Sequence, residues 1–206
     1  MKTSHFTLVS TLVCIMLLSF STQALSQDSW YGAFTYQVSF PTGDSKDFTS
    51  PVSFRGVGLD YRTFVQSNTT AGFFLGWNVF HERTTETFST QNIAVWGTQD
   101  RYINAFPIMA NVHYYLGQKG EPRPYIGLNA GGFVVLQRFA VGIVSLSNDT
   151  WEWGLAPEAG VIARIDRDHA VIINGKFNWA FNGETYGNKD FNLTYFGLNV
   201  GFVWQE

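Results

Sequence analysis

Three features of the sequence predict an all-β fold, namely an eight-stranded antiparallel up-and-down transmembrane β-barrel with short periplasmic turns and longer extracellular loops. Apolar residues recur at every second position in one segment after another, which is the period of a β-strand with one buried face. Aromatic residues make up 17% of the chain and charged residues only 14%, against roughly 25% charged in typical globular proteins. The connections between these segments are alternately long and short, as in membrane barrels.

The start of the chain has the character of a secretory signal peptide. Lys2 supplies a positive charge, an apolar run follows over residues 6–20, and small residues then offer a cleavage site. The run is short for a membrane-spanning helix, although a retained N-terminal anchor is the alternative. We therefore predict a signal peptide at residues 1–26 and one barrel domain at residues 27–206.

Cleavage of this segment removes Cys14, the only cysteine in the chain. The exported protein then has no thiol for a disulfide, which favours a bacterial envelope protein over a small secreted eukaryotic domain. The formal net charge of −3 gives no reason to expect nucleic-acid binding.

The alternation predicts eight strands. They cover residues 30–40, 54–65, 72–81, 103–116, 125–137, 151–165, 170–181 and 191–204. The connections after the second, fourth and sixth strands are short, whereas the other four are longer. An even number of strands with short turns on the side of both termini fits a transmembrane barrel.

The two faces of the strands differ in a way that separates a membrane barrel from a soluble one. In the last strand, Phe196, Leu198, Val200, Phe202 and Trp204 form one complete apolar face. The opposite face of the strands is rich in Asn and Gly, and poor in the Lys, Glu and Asp of a water-exposed surface. This pattern favours lipid outside and a narrow hydrogen-bonded lumen inside. A soluble periplasmic lipocalin-like barrel that binds an apolar ligand is the alternative.

Charged and polar residues on the lumenal face predict an ion network. If the DRDH turn centres near Arg167, antiparallel pairing places Glu158 opposite Lys176. An unpaired buried charge carries a penalty of several kcal/mol, so we expect the charges to pair and plug the lumen. A gate for a small-solute channel is the alternative. The predicted network consists of Asp60, Arg62, Glu158, Lys176, Asn78 and His113.

The sequence offers no catalytic or metal-binding motif. His81, His113 and His169 lack metal-ligand spacing, and no GxSxG, GxxxxGK[ST] or GxGxxG-helix motif is present. We predict no enzyme activity, no catalytic residue, no metal and no cofactor. The enzymatic alternative pairs His81 with a serine from the second long loop.

That second long loop contains apolar residues among polar ones. Such side chains mark a partner surface or fold onto the rim of the barrel, and we favour the rim. The candidates for loop interaction are Phe88, Ile93, Val95 and Trp96.

Three segments carry a resemblance to a known family. They are INAFPIMANVHYYLG with the turn after it, WGLAPEAGVIARI, and the final strand with its aromatic end. In these the chain resembles the small eight-stranded outer-membrane β-barrels of the OmpA-like and OmpX-like, porin-family kind, from about residue 30 to residue 204.

The resemblance implies a bacterial outer-membrane location, contact with outer-membrane lipid and insertion by the outer-membrane assembly machinery. That machinery recognises a last strand ending in Phe or Trp, which makes Phe202 and Trp204 the predicted assembly signal. Roles within the family include envelope integrity, adhesion, host-factor binding and small-solute permeation. We therefore expect a non-enzymatic monomer that acts structurally or through its extracellular loops, with an unknown surface partner.

Overall fold

The computed structural model describes residues 30–90, 93–118, 121–142, 144–181, 183–185 and 188–205. The predicted signal peptide at residues 1–26 lies outside these ranges. Among the residues described, no helix is long and apolar enough to cross a membrane. The elements are β1 (Trp30–Thr42), α1 (Gly43–Phe48), β2 (Ser53–Gln66), β3 (Thr69–Thr90), β4 (Ile93–Tyr115), β5 (Arg123–Val141), β6 (Val144–Arg164), β7 (His169–Phe181), β8 (Gly183–Thr185), β9 (Asn188–Phe191) and β10 (Thr194–Gln205).

Eight of the strands close into an antiparallel barrel in the order β1-β10-β7-β6-β5-β4-β3-β2. The first and last strands complete the closure, with Phe34 opposite Phe202 and Phe40 opposite Phe196. The short strands β8 and β9 pair with each other outside the barrel. The predicted fold class is confirmed, and closure leaves neither edge of the main sheet unpaired.

The exterior of the barrel is apolar. Leu75, Ile108, Leu128, Ile173 and Val200 are exposed on the outer face, whereas the asparagines of the alternate positions are buried in the lumen. This arrangement excludes the soluble lipocalin-like alternative, which needs the apolar face inside. Aromatic side chains lie at both ends of the apolar band, as in membrane barrels. We name them the extracellular girdle (Phe40, Trp77, Phe106, Trp151, Trp153, Trp179 and Phe196) and the periplasmic girdle (Trp30, Tyr61, Tyr114, Phe202 and Trp204).

Two of the predicted long loops are in fact extensions of strands. Strands β3 and β4 stay paired from Thr69 opposite Tyr114 to Thr90 opposite Ile93, and β5 and β6 stay paired to Val141 opposite Val144. The predicted ends of these strands, such as residue 81 for β3, were therefore wrong. Outside the lipid a strand needs no apolar face, and the segments TTETFST and IAV are rich in the β-branched residues that favour strands.

The first connection contains α1, which the sequence analysis did not predict. The backbone N–H of Asn192 donates to the Asp44 carboxylate at 2.9 Å, and that of Thr194 donates to Ser45 Oγ at 2.8 Å. Arg101 Nη1 donates to the carbonyl oxygen of Phe48 at 3.4 Å. These contacts tie α1 to the start of β10 and to β4, across the extracellular mouth.

The DRDH turn sets the register of β6 against β7. Backbone N–H groups of Asp168 and His169 donate to Asp166 Oδ1 at 2.9 Å each. The bond from Asp168 is the main cause that lowers the pKa of the Asp166 carboxyl. The two bonds together hold the exposed turn. The resulting register places Glu158 opposite Lys176, as predicted.

Gly72 and Gly197 offer a matched test of close backbone approach in this barrel. A Cβ at Gly72 would lie 1.8 Å from the carbonyl oxygen of Tyr61, whereas a Cβ at Gly197 would lie 3.4 Å from its nearest atom. We expect Gly72→Ala to lower the free energy of unfolding by about 1–3 kcal/mol, because the backbones of β2 and β3 must separate. Gly197→Ala is expected to behave as wild type. Urea unfolding in lipid vesicles measures both, and equal stabilities would contradict this account.

Candidate functional site: the charge cluster inside the barrel

Four strands bring ionised and polar side chains together in the middle of the lumen. Asp60 and Arg62 come from β2, His113 from β4, Glu158 from β6 and Lys176 from β7. Successive side chains of a strand point to opposite faces, and each of these residues is an even number of positions away from the small or amide-bearing residues that face inward on its strand. We call these five residues the charge cluster. All five are almost completely buried.

Arg62 is the centre of the charge cluster. Its Nε and Nη2 atoms donate to the two carboxylate oxygens of Asp60 at 3.1 and 2.6 Å. Nη2 also donates to Glu158 Oε1 at 2.9 Å, and Nη1 donates to the hydroxyl of Tyr115 at 2.9 Å. The guanidinium carbon lies 4.9 Å from the ring centroid of Tyr125. The planar donor fork of arginine therefore joins two carboxylates and an aromatic wall, which a lysine could not do.

Glu158 is saturated with donors. Its Oε1 accepts from Arg62 and from the Tyr125 hydroxyl at 2.6 Å, and its Oε2 accepts from Asn129 Nδ2 at 3.2 Å. Lys176 Nζ lies 3.0 Å from Oε2 and 3.4 Å from the ring centroid of Phe74. With two cations and two carboxylates, the cluster balances its charge when His113 is neutral. Complete pairing offsets the cost of burying charges in a bore lined by protein.

His113 lies beside the ion pairs without joining them. Its Nε2 is 3.6 Å from Glu158 Oε2, and neither ring nitrogen has a hydrogen-bond partner among the residues described. The ring packs edge-on against Tyr125 with centroids 5.4 Å apart. A Cβ at Gly127, opposite His113, would lie 2.0 Å from the imidazole, so the glycine makes room for the ring.

Asn78 is lumenal but lies outside the charge cluster. Its Oδ1 accepts from Ser39 Oγ at 2.8 Å, and its Nδ2 donates to the Tyr195 hydroxyl at 3.3 Å. The other five predicted network residues meet in one place. Three phenols and two amides complete the cluster: Tyr31, Tyr115, Tyr125, Asn111 and Asn129. Sequence reasoning expected the asparagines on the lumenal face but did not assign them to the network. It missed the phenols, although their parity within each strand would have found them.

Apolar side chains fill the lumen on both sides of the charge cluster. Towards the extracellular end a buried group includes Phe80, Ile103 and Phe133, and Phe48 of α1 packs against it. Towards the periplasmic end a second group includes Tyr31, Tyr115 and Ile172. The sequence analysis treated the lumen as mainly polar and predicted neither group. The described side chains therefore close the bore with one charged layer between two apolar layers.

The remaining candidate residues lie far from the cluster. On β10, Phe202 and Trp204 face outward in the periplasmic girdle. Beyond them, Gln205 Nε2 donates to the carbonyl oxygen of Arg167 at 3.1 Å, so β10 is attached to the DRDH turn.

The loop candidates lie on the paired part of the β3–β4 hairpin. The structure places Phe88 opposite Val95, Thr87 opposite Trp96 and Thr90 opposite Ile93. These positions were expected in a loop and are strand positions instead. Their side chains lie outside what the structure describes.

Comparison with known proteins shows similarity in structure but not in sequence. The sequence matches no protein-family model, and no curated protein matches it. The N-terminal β-barrel domain of OprF from Pseudomonas aeruginosa is similar in structure, with a TM-score of 0.51 at 9% identity over 87% of this chain and 98% of that one. Ail, the attachment invasion locus protein of Yersinia pestis, was solved in complex with the heparin analogue sucrose octasulfate. Its TM-score is 0.49 at 14% identity, over 86% of this chain and 97% of that one. The outer membrane protein OprG from Pseudomonas aeruginosa has a TM-score of 0.49 at 13% identity, over 86% of this chain and 94% of that one.

At such identities the similarity is one of fold. A closed barrel of this fold, with an apolar exterior and two aromatic girdles, is an integral β-barrel of the bacterial outer membrane. The predicted resemblance to small eight-stranded outer-membrane barrels is confirmed at the level of structure.

The charge cluster predicts a strong energetic coupling between Glu158 and Lys176. We expect Glu158→Gln to lower the free energy of unfolding by about 3–5 kcal/mol, because Lys176 is left as a buried charge without its partner. The double variant with Lys176→Met is expected to lose less than the sum of the two single variants. Urea unfolding in lipid vesicles provides the double-mutant cycle. Asp47→Asn, on the exposed face of α1, is the control and is expected to stay within about 0.5 kcal/mol of wild type. Additive losses would show that the two charges do not interact.

Proposed function

We propose that this protein is a non-enzymatic, closed outer-membrane barrel that acts, structurally or by surface contact, through the hairpins above its extracellular girdle. The observation that carries the proposal is the continuation of the sheet beyond the membrane. Past His81 and Tyr102, strands β3 and β4 remain paired as far as Thr90 and Ile93, roughly 30 Å along the strand. A protein that needed only to span the membrane has no use for so long a paired extension.

The extensions support one another. Strands β4 and β5 remain paired to Gln99 opposite Val141, and β5 and β6 to Val141 opposite Val144. The hairpins thus form one four-stranded wall on one side of the mouth. A continuous sheet presents its side chains in a fixed pattern, which suits a contact surface better than four independent loops.

Exposed apolar residues lie on this wall. Val144 is 60% exposed and Leu146 is 50% exposed, both beyond the extracellular girdle. A groove of about 350 Å³ next to them is lined by Phe48, Arg101, Phe139 and Leu146. Apolar side chains in water favour a contact with a partner.

The lumen supports a closed barrel and offers no support for the channel alternative. The charged side chains of the lumen form ion pairs with one another, and aromatic layers lie above and below them. The enzymatic alternative lacks support as well, because the described contacts of His81 are Asp100 at 3.3 Å and the stacked ring of Tyr102. We further propose a cleaved signal peptide, insertion by the outer-membrane assembly machinery through Phe202 and Trp204, and a monomeric state.

Shortening the wall tests the surface role. We expect replacement of residues 139–146 by a two-residue turn to leave heat-modifiable gel mobility intact, because the membrane-spanning pairs are untouched. Bacteria that carry the variant should lose, several-fold, either attachment to an epithelial monolayer or resistance to detergent, relative to wild type. The matched control replaces Arg138 by Gln and keeps the length of the hairpin. Wild-type behaviour of the shortened protein in both assays would refute a role for the wall.

Planar-bilayer recording tests the closed lumen. We expect the wild-type protein to give no regular conductance steps, because three layers of side chains fill the bore. A variant with Phe80, Phe133, Lys176, Tyr31 and Tyr115 replaced by Ala opens all three layers. It is the positive control and should conduct if it folds by the gel-mobility criterion. Regular steps from the wild-type protein would favour the channel alternative instead.

A further inference from the structure

We propose that a groove on the outer face of the barrel binds one membrane lipid with an anionic, phosphorylated headgroup, and that Arg55 is the headgroup ligand. The groove crosses strands β1 to β4 at the level of the extracellular girdle and has a volume of about 500 Å³. It therefore lies in the range of volumes usual for small-molecule sites.

The groove follows from the sizes of neighbouring side chains. Tyr36, Val57 and Trp77 are direct cross-strand neighbours on β1, β2 and β3. A valine between two large aromatic rings leaves a depression, which Val79 continues and Tyr102 of β4 bounds. The floor is aliphatic and the walls are aromatic, a lining that suits an acyl chain.

The walls of the groove are held by contacts within the protein. The Tyr36 hydroxyl donates to the carbonyl oxygen of Phe54. Trp77 Nε1 donates to Asn104 Oδ1 at 3.3 Å. The Tyr102 ring stacks on His81 with centroids 4.1 Å apart and planes inclined by 10°. Because these contacts exist without a ligand, the depression is preformed and binding costs little ordering of side chains.

A β-bulge directs Arg55 to the lipid-facing side. Gln37 and Ser39 of β1 pair with Gly56 and Ser53 of β2. One residue, Val38, lies between the paired positions on β1, whereas two residues, Phe54 and Arg55, lie between them on β2. Two consecutive residues of β2 are therefore exposed on the outer face. Bulges at barrel rims commonly re-aim a side chain in this way, and here the result is a cation beside the aliphatic floor of the groove.

Arg55 lies between two grooves without a carboxylate partner. It lines the large groove and also an adjoining one of about 240 Å³ beside Phe54 and His81. Among the residues described, Arg55 forms no ion pair. Asp100, which lies 3.3 Å from His81 of the adjoining groove, is also 3.8 Å from Arg83.

An arginine that faces lipid is unfavourable unless it reaches the interface or an anion. At the level of the extracellular girdle, the available anion is the headgroup phosphate of a lipid in the same leaflet. A guanidinium binds a phosphate through paired hydrogen bonds, and the acyl chain of the same lipid would lie over Val57 and Val79. A zwitterionic headgroup carries its own cation beside the phosphate, so an anionic lipid is preferred.

Native mass spectrometry of the folded chain in detergent tests the proposal, with phosphatidylglycerol and phosphatidylcholine of identical acyl chains as probes. We expect wild type to retain one phosphatidylglycerol several-fold more than phosphatidylcholine. Arg55→Gln should lose this preference, whereas Val57→Phe, which fills the floor of the groove, should lower retention of both lipids. Heat-modifiable mobility checks that each variant is folded.

Arg138→Gln is the matched control, because Arg138 is also an exposed arginine but belongs to the β5–β6 hairpin, where its Nε donates to Ser145 Oγ at 3.0 Å. It is expected to retain lipid as wild type does. Equal retention of the two lipids by wild type, an unchanged preference in Arg55→Gln, or an equal loss in Arg138→Gln would each overturn the site.

Discussion

Pairing of the first strand with the last is the constraint on which the rest of this structure depends. In a bilayer every backbone N–H and C=O must find a partner within the protein, and β1 and β10 supply the final set of these bonds. Once closed, the sheet can present only two surfaces. One of them contacts lipid and becomes apolar, and the other surrounds a bore too narrow to hold bulk water.

The contents of the bore follow from that geometry. Charged side chains in a narrow lumen must pair with one another. Arg62 forms ion pairs with Asp60 and Glu158, and Lys176 forms a second ion pair with Glu158. Aromatic and aliphatic layers then separate this charged layer from water at both ends. The same closure leaves the extracellular rim as the part of the molecule that can vary, and there the strands extend upward as a wall.

Much of this could be predicted from residue order. The two-residue period identified all eight barrel strands, and the DRDH turn was sufficient to place Glu158 opposite Lys176. The ends of β3 and β4 could not be predicted in the same way, because the apolar signal ceases where lipid ends although the ladder continues. The helix α1 has no periodic signal over six residues and depends on contacts with Asn192 and Thr194. The bulge at Arg55 depends on a register that only the paired strands define.

The charge cluster also has a meaning for how the barrel is assembled. Arg62 and Glu158 are 96 residues apart in the chain, so neither finds the other until most strands are in place. A slip of one residue between two strands exchanges the faces of every side chain. Such a slip at β6 would turn Glu158 out to the hydrocarbon and leave Lys176 alone inside. The buried charges therefore raise the free energy of a misaligned barrel, because such a barrel leaves charges unpaired. The native register, in which they pair, is favoured when the sheet closes.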